Sequence, residues 1–319
     1  LVSGTACAVP AIMAARNIEN VKERLITILV TPFMACSARL PIYSIIISLI
    51  IPDESFLGIS YKALMLLLMY FLGFAMALIS AFVLKKVIKS NQPSFLVMDL
   101  PTYKMPLWWE DLKLTLSKVW AFITGAGKVI FTVSVILWVL SYFGESKKQD
   151  EWVATDVELK DSYLSQVGAV IQPAIEPLGY DWKISIGILS SFVARETFAS
   201  TMATIYSLDN LDIDDEKDRQ TLVAKMRKEK NSNGEPVYSF ATCMSILMYY
   251  AFAMQCISTI ATVYKETKSW KLTAFQFVSM SGFAYLVSFL VYNINNYFNL
   301  LLAIQWNIFI KILSLESSF

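Results

Sequence analysis

Three cysteines, two arginines and one glutamate carry whatever chemistry this chain can perform within apolar sequence. Cys7, Cys36 and Cys256 lie in mainly apolar stretches, and Arg39, Arg195 and Glu196 interrupt stretches otherwise suited to a bilayer. Thiolate sulfur suits late first-row divalent metals, whereas carboxylate and carbonyl oxygen suit harder cations. With Met34 and Met254 near them in the pattern, these residues could line a sulfur-and-oxygen path for an ion such as Fe2+. The ordinary alternative for any one thiol is packing, because free cysteine behaves as a small hydrophobe. Cys243 is assigned to packing: it stands thirteen residues before Cys256, about 220° away around an ideal helix. For the arginines the alternative is a structural lock. Arg195 and Glu196 are neighbours that point in different directions on a regular helix, so a pair such as Arg39 with Glu196 is one way to neutralise them.

The chain has no histidine. That removes the commonest metal ligand and the usual neutral-pH base, and with them haem, His-ligated zinc and Ser-His-Asp hydrolysis. No convincing nucleophile and base pair remains, so no catalytic residue is assigned and the chain is read as no enzyme. Lys128 follows Gly127, but Phe122 and Val129 stand where a phosphate-binding loop needs Gly and Ser or Thr. With 27 basic against 26 acidic residues, nothing favours a nucleic-acid partner.

Of 319 residues, 56% are apolar and 17% charged, and the mean hydropathy is +0.52; lipid is part of the solvent. Residues 63–84 carry no charge over the ~20 residues a crossing needs. Residues 25–51 are long enough to cross, but Pro32, Arg39 and Pro41 predict a helix broken near its middle. Residues 108–118 suit an interfacial helix before a span over 119–143, and 144–182 are acidic and polar. Further apolar segments cover 184–206, 240–264 and 272–292. The charged insert between the first two reads as a solvated helix and loop. A single crossing at 184–206 would put the basic turn Lys265–Lys271 outside, so that segment is expected to enter and return as a re-entrant pair around Arg195 and Glu196. The chain opens without an initiator Met, inside an apolar Gly/Ala/Pro stretch, and reads as the later part of a longer protein.

Two parts of the chain echo each other. GTACAVPAIMAAR is followed by PFMACSARL, and GILSSFVARE is followed, beyond the insert, by AFAMQCISTIA, which sets Cys36 opposite Cys256. The expected fold is therefore all-α: a polytopic transmembrane bundle whose interrupted and re-entrant helices form two inverted repeats. Such repeats commonly meet near the midplane to build a transport site.

At these residues the sequence resembles the ferrous iron transport protein B family, the bacterial FeoB permeases. The resemblance rests on GTACAVPAIMAARNIENVKERLITILVTPFMACSARLPIY, MDLPTYKMP, SYLSQVGAVIQPAIEPLGYDWKISIGILSSFVARETFASTMATIY and YYAFAMQCISTIATVYKETKSWKLTAFQFVSMSGFAYLVSFLVY. It implies a first Gate segment at 1–84 and a central region at 85–182. A second Gate segment at 183–292 carries the insert 207–238, and an apolar tail occupies 293–319. It further implies a multi-pass inner-membrane Fe2+ importer with Cys7, Cys36 and Cys256 on the ion path. Its GTP and Mg2+ chemistry would belong to a G domain that these residues do not contain, so no cofactor is expected here. Small Feo accessory proteins, the lipid bilayer and other copies of the chain are the implied partners. Ala8 stands where Asn is common in the family. A Gate-type transporter of an organic solute such as a nucleoside, or a structural membrane subunit, are the alternatives.

Overall fold

The computed structural model describes residues 2–51, 55–56, 59–88, 107–128, 131–132, 135–136, 139, 163–192, 195, 197–206, 216–230, 234 and 236–316. Twelve helices are used below: α1 (Ala8–Ala14), α2 (Val21–Val30), α3 (Leu40–Ile50), α4 (Tyr61–Val87), α5 (Trp108–Phe122), α6 (Tyr163–Ile175), α7 (Trp182–Ser191), α8 (Thr197–Ile205), α9 (Glu216–Lys228), α10 (Phe240–Phe252), α11 (Ile257–Thr267) and α12 (Trp270–Glu316). A two-residue antiparallel ladder, Ser55–Phe56 with Ile59–Ser60, precedes α4. The molecule is an all-α bundle, as expected.

Among the described residues, four stretches are long and apolar enough to cross a membrane: Val21–Ile50, Tyr61–Val87, Phe240–Thr267 and Trp270–Tyr297. Two of these are continuous helices and two are broken. Along α4, Leu64, Leu67, Phe71, Leu78 and Phe82 face outward, and Phe275, Val278, Leu286 and Leu290 do so along α12. Apolar side chains so exposed suit acyl chains. The broken spans lie inside. Ile42, Tyr43, Ile45 and Ile46 of α3 and Ile246, Leu247 and Tyr250 of α10 are fully buried in the main core.

Helices α7 and α8 form a short hairpin in the segment expected to be re-entrant. At ten and nine residues, each is ~15 Å long or less, half of what a crossing needs. They fold back on each other around Gly187, where an added Cβ would run into Met202 and come within 2.7 Å of the Phe198 ring. Thr197 Oγ1 donates to the Ser190 carbonyl at 2.8 Å and Thr201 Oγ1 to Ser190 Oγ at 3.0 Å, which ties the two arms together.

Three expectations need amendment. The insert is more than a solvated helix: α9 buries Leu222, Val223 and Met226 in the main core. Its Arg227 donates to the Ser48 and Leu49 carbonyls at 2.8 and 3.3 Å, covering the last turn of α3 as a cation at a helix C-terminus does. The interfacial helix and the start of the next span are continuous, since α5 passes into a π-helical turn at Ile123–Gly127. The apolar tail likewise continues α12 as far as Glu316. The MDLPTYKMP motif and residues 141–162 lie outside the described residues.

The hairpin packing gives a direct test. Gly187→Val must separate the arms, costing about 1–3 kcal/mol by overpacking, and should lower the thermal midpoint of detergent-purified protein. Gly282→Val, where nothing lies within 4 Å of an added Cβ, should leave the midpoint unchanged.

Candidate functional site

Breaking a helix away from water frees backbone groups that other protein atoms must satisfy. In the first broken span the interruption runs through the 3-10 turns Thr31–Phe33 and Ser37–Arg39. Pro32 supplies no N–H, and the Leu29 carbonyl of α2 accepts Gln276 Nε2 from α12 at 2.8 Å. The α4 helix comes close because Gly73 has no side chain: a Cβ there would lie 3.3 Å from the Phe33 carbonyl oxygen. The second span has no proline at its break, where Ala253–Cys256 separate α10 from α11.

All three candidate cysteines occupy equivalent places. Cys7 precedes α1, Cys36 precedes the turn leading into α3, and Cys256 precedes α11, each with extended backbone (φ −154°, −92° and −154°). Cys256 Sγ lies 3.1 Å from Ser258 Oγ. All three are partly accessible, whereas Cys243 is buried in the main core, in keeping with a packing role. Among the described residues no three Cys, Asp or Glu side chains gather to hold a metal together. Glu196 lies outside the described residues, and with it the Arg39–Glu196 pair.

Each break is tied to the tip of a hairpin or to the turn before a short helix. Ser37 Oγ, one residue after Cys36, donates to the Ala6 carbonyl, one residue before Cys7, at 2.9 Å. Ile257 N–H, one residue after Cys256, donates to the Phe192 carbonyl in the α7–α8 turn at 3.0 Å. The echo read in the sequence thus recurs as a pattern of contacts.

The two arginines meet at the first break. Arg39 is fully buried, with Nη2 3.4 Å from the Pro32 carbonyl and Tyr43 beside its guanidinium. Arg195 reaches from the α7–α8 turn, placing Nη1 3.7 Å from Cys36 Sγ and Nη2 3.2 Å from the Ala253 carbonyl. The two guanidinium charges repel each other. Tyr43 is buried beside Arg39, and Gln255 is buried beside Tyr249. Sequence reasoning passed over Gln255 and Tyr43; a buried amide in an apolar span was the available signal.

At the other end of α1, Arg16 Nε donates to Glu266 Oε2 of α11 at 2.7 Å, with Nη2 on Oε1. That carboxylate raises the Arg16 guanidinium above its ordinary value, by hydrogen bond first and charge attraction second.

The family model described as ferrous iron transport protein B C terminus matches residues 66–120, and that described as Gate, nucleoside recognition, matches 123–270. An Fe(2+) transporter FeoB of Leptospira biflexa is 40% identical over 295 residues, covering 92% of this chain and 42% of the relative. The FeoB of Staphylococcus aureus strain MSSA476 is 36% identical over 306 residues, covering 93% and 40%. A fusion of Fe(2+) transport protein A with FeoB from Porphyromonas gingivalis is 30% identical over 321 residues, covering 92% and 37%. The chain spans less than half the length of these curated relatives. No solved structure matches it.

The Ser37–Ala6 bond generates a prediction. Its loss in Ser37→Ala removes about 1 kcal/mol of tethering, a factor of roughly five in an opening equilibrium. Maleimide labelling of Cys7, in protein lacking the other thiols, should accelerate accordingly; an unchanged rate would mean that the bond does not hold the turn.

Proposed function

Because this chain matches the carboxy-terminal membrane region of the ferrous iron transport protein B family, we propose that it forms the permease of an Fe2+ importer. The observation that carries the reading is the placement of a cysteine at each interruption, with Arg195 linking the sulfur at the first to a carbonyl group at the second. Sulfur and carbonyl oxygen together suit a borderline divalent ion. Cys7, Cys36 and Cys256 serve in succession, each replacing part of the water shell, with Glu196 as the one carboxylate on the path. Few ligands at a time keep binding weak enough for release.

The two repeats act as inverted halves in the inner membrane, with 1–84 and 183–292 as the Gate segments and 85–182 between them. GTP hydrolysis belongs to a G domain outside these residues, which biases the gate. The fusion in Porphyromonas gingivalis supports a small accessory protein as partner, and self-association is consistent with the bilayer setting. A second reading draws on the family description of nucleoside recognition: the interrupted helices would then take an organic solute. Competition separates the two, since a nucleoside should not reduce Fe2+ uptake by an ion permease.

In the full-length protein, Cys36→Ser and Cys256→Ser should each impair Fe2+ uptake into cells at unchanged membrane abundance, while Cys243→Ser should not. Normal uptake in both of the first two variants would remove the thiolate path.

A further inference from the structure

Arg195 stands where an ion would be expected. Its guanidinium bridges the two interruptions, with Nη1 on the Cys36 sulfur and Nη2 on the Ala253 carbonyl oxygen. A thiol sulfur and a freed backbone carbonyl are also the donors a borderline divalent cation would take. Arg39 lies on the same break and repels it. The two arginines differ in how they are held. Arg39 belongs to the turn that starts α3 and is fully buried. Arg195 is buried too, but it belongs to the turn joining the short arms α7 and α8 and is held there by its bonds to Cys36 and Ala253. One charge sits where a bundle helix starts, and the other at a hairpin tip.

We propose that Arg195 is a resident cation, occupying the place between Cys36 and Ala253 until the transported ion displaces it. This rests on the reading of the chain as a cation permease. Entry of a divalent ion adds further positive charge beside Arg39 and Arg195, and the guanidinium carried on the hairpin tip is the group that gives way. Its departure frees the Ala253 carbonyl at the end of α10. The tip keeps its other tether, the Phe192 carbonyl on Ile257 N–H, so the hairpin can pivot about that bond. Arrival of the ion at one repeat thereby loosens the interruption in the other. Arg195 is a positioning residue on this account and no ligand of the ion.

A structural strut and a resident cation respond oppositely to neutralisation. The test uses the full-length protein, purified in detergent and in proteoliposomes, with Co2+ as probe, read by its sulfur-to-cobalt charge-transfer absorption. Arg195→Gln should tighten Co2+ binding by about fivefold or more, since a competing charge is gone, and should lower KM and Vmax for Fe2+ uptake together. Arg195→Lys should keep KM within about twofold of the parent. The parent protein supplies an independent measurement: phenylglyoxal labelling of Arg195, followed by mass spectrometry, should rise when Co2+ is added. Unchanged or weaker Co2+ binding by Arg195→Gln, or labelling that Co2+ leaves unchanged or suppresses, overturns the proposal. If the charge-transfer band is present and lost in Cys36→Ser, such a result condemns the resident cation alone. If the parent shows no band and Cys36→Ser transports normally, the thiolate path fails and the proposal falls with it.

Discussion

A helix interrupted inside an apolar bundle releases N–H and C=O groups that no water reaches, and each must find a partner within the protein. The rest of this structure can be derived from that requirement at two places, after α2 and after α10. The Leu29 carbonyl takes Gln276, the Pro32 carbonyl takes Arg39, the Ala253 carbonyl takes Arg195, and Ile257 N–H takes the Phe192 carbonyl. The tip of the α7–α8 hairpin supplies two of those partners. Gly73 serves the same end by letting α4 close over the first interruption.

The same constraint explains where the sulfur sits. Each interruption presents two kinds of end: a first half that closes on carbonyls bonded from other segments and a second half that opens with a cysteine in extended backbone. Carbonyl ends of half-helices are natural cation sites in transporters. A cysteine immediately across the gap adds a soft donor without extending the polar region further into the bundle. A histidine would do similar work, but the chain has none, which throws the soft chemistry onto thiols.

Much of this was legible in the residues. Pro32 and Pro41 announced the first interruption, the charge of the Lys265–Lys271 turn pointed to a hairpin at 184–206, and the echo of PFMACSARL in AFAMQCISTIA marked the second interruption, where no proline does. What stayed hidden depends on contacts between distant segments. Leu222, Val223 and Met226 form an apolar face on a helix whose charges dominate its composition, and only the fold shows that α3 packs against it. Ser37 and Gln276 look like ordinary polar residues until a carbonyl from another segment is placed opposite. Arg195 was singled out as a candidate, yet no local pattern could show that it would reach across to the other repeat.

That crossing has a counterpart, and the two together constrain how the bundle can move. Helix α1 of the first repeat packs on α11 of the second, with Arg16 fastened to Glu266 at its far end. Helix α8 of the second repeat packs on α3 of the first. Each short helix therefore lies against the half-helix that follows the other repeat's interruption, while the turn before it is bonded to its own. A displacement of either turn is transmitted to both interruptions at once, because packed side chains move as bodies and do not stretch. Two interruptions built this way cannot rearrange independently.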